Sequence, residues 1–347
     1  MAAPALASLT EALRVAGQRV LALPADDDSR LLLLERGARV MGLYPSENDD
    51  NFLWTHPALA TAAGARAFFS TSGWPNPGGD RTWLAPEHAL FFGDELPSWE
   101  HYRVPPELDP GSFSLRREGT AACFRGQVRI AVRGIRRRAN ASLHKLVAPV
   151  PNPVKHAAVA GDASYAGYTC TTTLTVDSPA PLALWQLLQL PHGGEMLVGT
   201  TGRATPRVLF GNVKRASWTA GPRVLRHPMN AAGNHKLGLT SRHCTGLAGY
   251  VSRSSAREWS LVVRRWQVNP KGRYIDTPWH AREGEGDCFQ LCNVNADIGR
   301  FSELEHHTPA ADAGAPAVDT SDVWAFRGPR AAIREIVRQL LGIRRAL

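Results

Sequence analysis

Tyr168-Thr169-Cys170-Thr171-Thr172-Thr173-Leu174-Thr175-Val176 sets the character of the whole chain. With side chains alternating at period two, Tyr168, Cys170, Thr172, Leu174 and Val176 share one face, and Thr169, Thr171, Thr173 and Thr175 share the other. A threonine ladder behind a mostly apolar face suits an antiparallel strand that is packed on one side and wet on the other. Short strands of this kind, separated by turn residues, recur at 30–35 and 39–44 around a turn at Gly37. They recur again at 127–133, 182–190, 195–200, 207–213, 247–252, 259–267, 288–294 and 301–307. No helical pattern repeats between them, which excludes a parallel βαβ sheet. The expected fold is mainly β, one large antiparallel β-sandwich over residues 25–326. An N-terminal amphipathic helix at 1–24 and a basic amphipathic helix at 327–347, packed on the same domain, would flank it.

Composition agrees with this reading. The 347 residues are 44% hydrophobic and 20% charged, which excludes disordered, fibrous and disulfide-scaffold classes. The 31 glycines and 25 prolines supply the turns of a many-stranded fold. No apolar run reaches the roughly 18 residues of a membrane span. The first 24 residues lack a signal-peptide pattern and read as a helix, with Ser8 and Glu11 as a capping box and Leu6, Leu9, Leu13 and Ala16 on one side. Cys123, Cys170, Cys244, Cys288 and Cys292 are few, odd in number and without C-x-x-C spacing, as expected of reduced thiols in a cytoplasmic protein.

Forty Lys and Arg against 31 Asp and Glu give a net charge of +9. From Arg327 onward, six arginines against Glu335 contribute +5 of it, on a helix whose Ile333, Ile336, Val337, Leu340 and Leu341 form one stripe. That pattern predicts a docked helix with a solvated arginine face. A second cluster, Arg133, Arg136, Arg137, Arg138 and Lys145, has no interleaved aromatics and reads as a hairpin end facing water. Neither a nucleic-acid nor a membrane partner is expected.

Four segments carry candidate chemistry. Gly78-Gly79-Asp80-Arg81-Thr82-Trp83-Leu84-Ala85-Pro86-Glu87-His88 reads as a glycine-led loop that presents Asp80, Arg81, Trp83 and Glu87 together. A guanidinium, carboxylates and an indole face are what a polyhydroxylated ligand requires; the alternative is an Asp80–Arg81 pair with Trp83 in the core. Phe301-Ser302-Glu303-Leu304-Glu305-His306-His307-Thr308-Pro309, read as a strand, puts Glu303, Glu305 and His307 on one face. Such crowding is costly in a core, but in a cleft it separates carboxylate pKa values for acid–base work. Its plain alternative is an exposed sheet edge. His306 and His307 point to opposite faces and no further ligand cluster has zinc spacing, so neither a metal nor a cofactor is expected. The stretch Trp185 to Glu195 is an apolar strand ending in a turn that carries His192, and Asn234-His235-Lys236-Leu237-Gly238 offers Lys236.

Taken in order, these pieces resemble the galactose-mutarotase-like superfamily. The stretch Arg30 to Val40, followed by Asn51-Phe52-Leu53-Trp54, is similar to the first hairpin of aldose 1-epimerase-like proteins and its continuation. Gly79-Asp80-Arg81 falls where those proteins carry a sugar-binding arginine, and Leu304-Glu305 where they carry the late catalytic glutamate. The resemblance covers about residues 25–326 and points to a bacterial branch apart from the true epimerases. It implies a β-supersandwich with a small-molecule carbohydrate in a cleft. It also implies a glutamate base that takes the anomeric hydroxyl proton while a histidine acid protonates the ring oxygen. Carried over, Glu305 becomes the base, with Glu303 beside it, and Arg81 a hydroxyl clamp. One departure matters: the epimerase Asn-His motif is missing, and Trp185 stands where the acid histidine is expected. An indole stacks on a sugar but does not protonate one. His192 and His307, with Lys236 behind them, are the replacements. The readings that follow are a mutarotase-type enzyme, a sugar-binding module without turnover, and a lyase or hydrolase on an acidic saccharide.

Overall fold

Two antiparallel sheets stacked face to face bury the main apolar core between them. The computed structural model describes residues 4–25, 28–92, 99–156, 161–178, 180–230, 233–278, 285–311 and 314–343. In chain order the strands are β1 Val20–Pro24, β2 Arg30–Leu34, β3 Arg39–Tyr44, β4 Asp80–Ala85, β5 Phe113–Glu118, β6 Ala121–Ile130 and β7 Ala139–Pro149. There follow β8 Ser164–Asp177, β9 Ala183–Leu190, β10 Gly194–Thr200, β11 Arg207–Phe210, β12 Thr219–Ala220 and β13 Val224–Met229. The last are β14 His235–Thr240, β15 Cys244–Arg253, β16 Glu258–Trp266, β17 Asp287–Ala296, β18 Gly299–His307 and β19 Ala317–Pro329. Nine strands form one sheet in the order β1-β2-β3-β4-β9-β18-β17-β14-β11. The other ten run β12-β13-β10-β15-β16-β19-β8-β7-β6-β5. The expected large antiparallel sandwich is what forms.

The threonine ladder behaves as its alternation requires. On β8, Tyr168, Cys170, Thr172, Leu174 and Val176 are buried, while Thr169, Thr171, Thr173 and Thr175 lie at or near the surface. The hydroxyls of Thr171 and Thr320 on neighbouring β19 are 3.1 Å apart. Facing this sheet across the core are Val40, Leu188, Leu304, Leu291 and Leu237 from five strands of the other.

Several expectations at the ends and edges need correction. The helix expected at 1–24 is α1 Leu6–Val15, and Val20–Pro24 is an edge strand paired with β2. Gly17, at φ 74°, lies just beyond the helix in the left-handed region that glycine tolerates. The Ser8–Glu11 capping box does not form, because the N-cap is Ala5 and Ser8 already lies inside the helix. Leu6, Leu9 and Leu13 do form the buried stripe, against Leu32, Leu34 and Met41. At the other end, Arg327, Gly328 and Pro329 complete β19, and α2 spans Arg330–Leu341. Ile333, Ile336 and Val337 are fully buried against β15, β16 and β19; Arg344 and Arg345 lie outside the described residues. The basic hairpin is wet at Arg137 and Arg138, but Lys145 is not. Lys145 occupies a core-facing position of β7 and its buried ammonium donates to the Ala38 carbonyl at 3.1 Å.

Candidate functional site

Register across β4, β9, β18, β17 and β14 decides which side chains share the outer face of the nine-stranded sheet. Trp83 lies opposite Trp185, and Trp185 opposite His307. Arg81 lies opposite Leu187, Leu187 opposite Glu305, and Glu305 opposite Gln290. Gln189 lies opposite Glu303, Glu303 opposite Cys292, and Cys292 opposite Lys236. All of these positions are offset by even numbers along their strands, so they project away from the second sheet. The row Asp80, Leu188, Leu304, Leu291 and Leu237 projects toward it.

This outer face carries a cavity of ≈ 710 Å³. Its aromatic lining runs from Trp83 and Trp185, 3% and 1% exposed, to Trp99, 49% exposed, with Trp74, Tyr102, Phe210 and Phe301 between and around them. Two ion pairs stand at its wall, the cation of each against an indole. Arg81 Nη2 donates to Glu303 Oε1 at 3.0 Å, its guanidinium 4.1 Å from the Trp83 ring, and Gln189 Nε2 donates to the same oxygen at 2.9 Å. Lys236 Nζ lies 3.1 Å from Glu305 Oε2 and 3.4 Å from Glu87 Oε2, and 4.4 Å from the Trp185 ring. Trp185 Nε1 donates to Glu305 Oε2 at 2.7 Å.

Burial governs the protonation of these groups. It pushes Glu305 up to about 8 against the pull of Lys236, with Glu303 and Glu87 adding like charge. Glu87 is raised by burial too, again against Lys236. Burial alone would lower Lys236, yet Glu305 and Glu87 hold its ammonium well above the ordinary lysine value. Arg81 Nε and Nη1 and Glu305 Oε1 are buried and make no hydrogen bond among the described residues. The cleft therefore offers donors, acceptors and flat apolar faces at close quarters, with its cations already balanced.

Of the residues singled out from sequence, Arg81, Trp83, Glu87, Trp185, Lys236 and Glu303 line this cavity, and Glu305 sits directly behind Trp185 and Lys236. His307 shares their face but stacks under Trp185, ring centroids 5.6 Å apart and planes 17° apart, and burial lowers its pKa to about 3. Two residues go elsewhere. Asp80, on the inward row, accepts from Arg264 Nη2 at 2.7 Å and from the Tyr168 hydroxyl at 2.6 Å, between the sheets. His192 lies beyond the end of β9, its Nε2 2.6 Å from the Val294 carbonyl, and it does not line the cavity. The segment read as a loop is a strand, β4, and its paired glycines serve a different end. A Cβ on Gly79 would come within 2.3 Å of the Val40 carbonyl, so glycine there permits close backbone approach.

The sequence reading missed Trp74, Trp99, Tyr102, Phe210 and Cys292. Trp74, Trp99 and Tyr102 belong to no strand, so no periodicity points them at the sheet. Asp109 was also missed. Its Oδ2 accepts from Trp83 Nε1 at 3.1 Å and pairs with buried Arg39, which fixes the indole under Arg81. Cys292, Glu303 and Glu305 bring potential metal ligands within 4.8 Å of one another. Arg81 and Lys236 already neutralise both carboxylates, so a cation would have to displace them.

No protein-family model matches the chain, and no curated protein matches it. Solved structures do. The Slr1438 protein of Synechocystis sp. PCC 6803 is 10% identical, with a TM-score of 0.52 over 90% of this chain and 96% of that one. The chain shares the fold of that protein, two large antiparallel sheets packed as a β-sandwich. A putative aldose 1-epimerase from Escherichia coli K12 is 12% identical, TM-score 0.48, over 90% of this chain and all of that one. A galactose 1-epimerase from Lactobacillus acidophilus NCFM is 10% identical, TM-score 0.44, over 90% of this chain and 95% of that one. At 10% identity the Synechocystis structure speaks for the fold alone.

Proposed function

We propose that the cleft on the outer face of the nine-stranded sheet binds a carbohydrate. One observation carries the reading: Arg81 and Lys236, paired with Glu303 and Glu305, each lie against an indole, and both cations and both indoles line one cavity. A sugar offers C–H faces to stack on indoles and hydroxyls that take and give hydrogen bonds to charged groups at once. An acidic saccharide is less well served. Arg81 is paired with Glu303 and Lys236 lies between Glu87 and Glu305, so a uronate would meet three acidic side chains beside two cations, which argues against the lyase or hydrolase reading. Five free, buried cysteines support a cytoplasmic setting.

Catalysis by proton transfer is the second reading, favoured by Glu305, whose raised pKa of about 8 poises it near neutrality. The histidines named for the acid do not serve: His192 stands outside the cavity, and His307 is enclosed and neutral above pH of about 3. A mutarotase here would draw its acid from the Lys236, Glu87 and Glu305 cluster. Binding is tested by indole fluorescence during titration with a panel of aldoses, with Glu303→Gln as the variant that should weaken it. Turnover is tested by exchange NMR of anomers. Acceleration that disappears in Glu305→Gln supports the enzyme, and binding without acceleration leaves a recognition module. Absence of binding by every sugar overturns the proposal.

A further inference from the structure

We infer that the cleft takes a carbohydrate of two or more units, one ring at the inner ion pairs and another on Trp99; this rests on the carbohydrate reading of the same site. The volume of ≈ 710 Å³ falls in the upper part of the range for drug-sized ligands. More telling is that the two ends of the cavity differ in chemistry. Arg81, Glu303 and Lys236 cluster with the buried indoles of Trp83 and Trp185. At the other end Trp99 stands 49% exposed, with Phe210 edge-on at 4.8 Å and Tyr102 at 5.5 Å. Trp185 connects to Trp99 through Phe91 and Tyr102, with successive ring centroids 5.7, 5.5 and 5.5 Å apart. An aromatic wall thus runs from the charged end to the mouth.

Exposure at that mouth is selective. Among the described residues four large hydrophobic side chains are exposed, and two of them, Trp99 and Ile298, line this one cavity. Apolar side chains left in water at the lip of a cleft mark a contact surface rather than a packing surplus. Asn234 and Asp297, both exposed, supply polar groups to the same lining. A second sugar ring, flat on one face and ringed by hydroxyls, matches an exposed indole with neutral and acidic hydrogen-bonding neighbours. A single ring held by the inner pairs leaves the Trp99 end unused.

Isothermal titration calorimetry with glucose, galactose, maltose, cellobiose and lactose tests this. At least one disaccharide should bind about tenfold tighter than its component monosaccharide. In Trp99→Ala that ratio should fall to about one, and Ile298→Ser should lower it in the same direction; circular dichroism checks that both variants are folded. Monosaccharide binding with no gain for any disaccharide, or a gain that survives Trp99→Ala, overturns the second subsite and leaves the carbohydrate reading standing. If none of the five sugars binds, both fall.

Discussion

Asp80 and Arg81 are consecutive on β4, yet each forms a buried ion pair on a different side of the sheet. Asp80 reaches Arg264 of the opposite sheet, both fully enclosed, with Tyr168 closing the group. Arg81 reaches Glu303 within its own sheet, on the wall of an open cavity and over an indole. Desolvation is nearly as complete for the second pair as for the first, so burial alone does not tell a structural pair from a functional one. What separates them is the partner layer. The inner pair ties two sheets together, whereas both members of the outer pair line the cavity, where a ligand can reach them.

If that contrast holds, breaking the inner pair should cost stability and breaking the outer pair should cost binding. Asp80→Ala leaves Arg264 as an uncompensated buried charge and should destabilise by roughly 3–5 kcal/mol, read as a lower denaturant midpoint at unchanged slope. Next in size, Glu303→Gln keeps a hydrogen bond to Arg81 but removes the charge. It should weaken sugar binding about tenfold or more, the effect of losing a charge-assisted hydrogen bond, while costing less stability than Asp80→Ala.

Protonation sharpens the comparison further. His307 under Trp185 and His227 beside His235 are held at about 3 and about 4, below the ordinary histidine value, chiefly by burial. Between pH of about 6.5 and those values the unfolded chain binds more protons than the folded one, so stability is fully present above about 6.5 and falls as pH drops through that window. Glu305, raised to about 8, has the opposite sign, binding a proton in the folded state that the unfolded chain has released. Its contribution is present below the ordinary glutamate value and is lost as pH rises toward 8. Thermal melts against pH should therefore flatten on the acid side in His307→Phe and on the neutral side in Glu305→Gln. The smallest effect belongs to the surface. Arg137 and Asp177 pair at 2.8 Å while both are well exposed, and Arg137→Ala should change stability by no more than about 0.5 kcal/mol.

Much of the fold was legible because alternation is a local property. The threonines of β8 and the face shared by Glu303, Glu305 and His307 follow from period two alone, and both are found. Asp80 was legible in principle. Read as a strand, the same segment puts Asp80 opposite to Arg81 and Trp83, but its paired glycines suggested a loop. Their role, close packing of Gly79 on β3 and of Gly78 on the backbone of Trp54 and Thr55, depends on neighbours distant in the chain and is invisible in sequence. Lys145 misleads for a related reason: it sits in a basic run, and only the turn at Ala38 across the core gives its ammonium a partner. The aromatic half of the cleft was the least legible part. Trp99 and Tyr102 lie in an irregular segment whose direction is set by packing on Phe91 and Phe92, not by any repeat.

The indole N–H resonances offer the most direct measurement of where a sugar binds. Trp83 and Trp185 belong to the cleft, whereas Trp266 and Trp324 belong to the other sheet, and single Trp→Phe variants assign their signals. On titration with a bound sugar the Trp83 and Trp185 signals should move while those of Trp266 and Trp324 stay in place. Shifts confined to Trp266 and Trp324, or none at saturating sugar, would contradict a carbohydrate site on the outer face of the nine-stranded sheet.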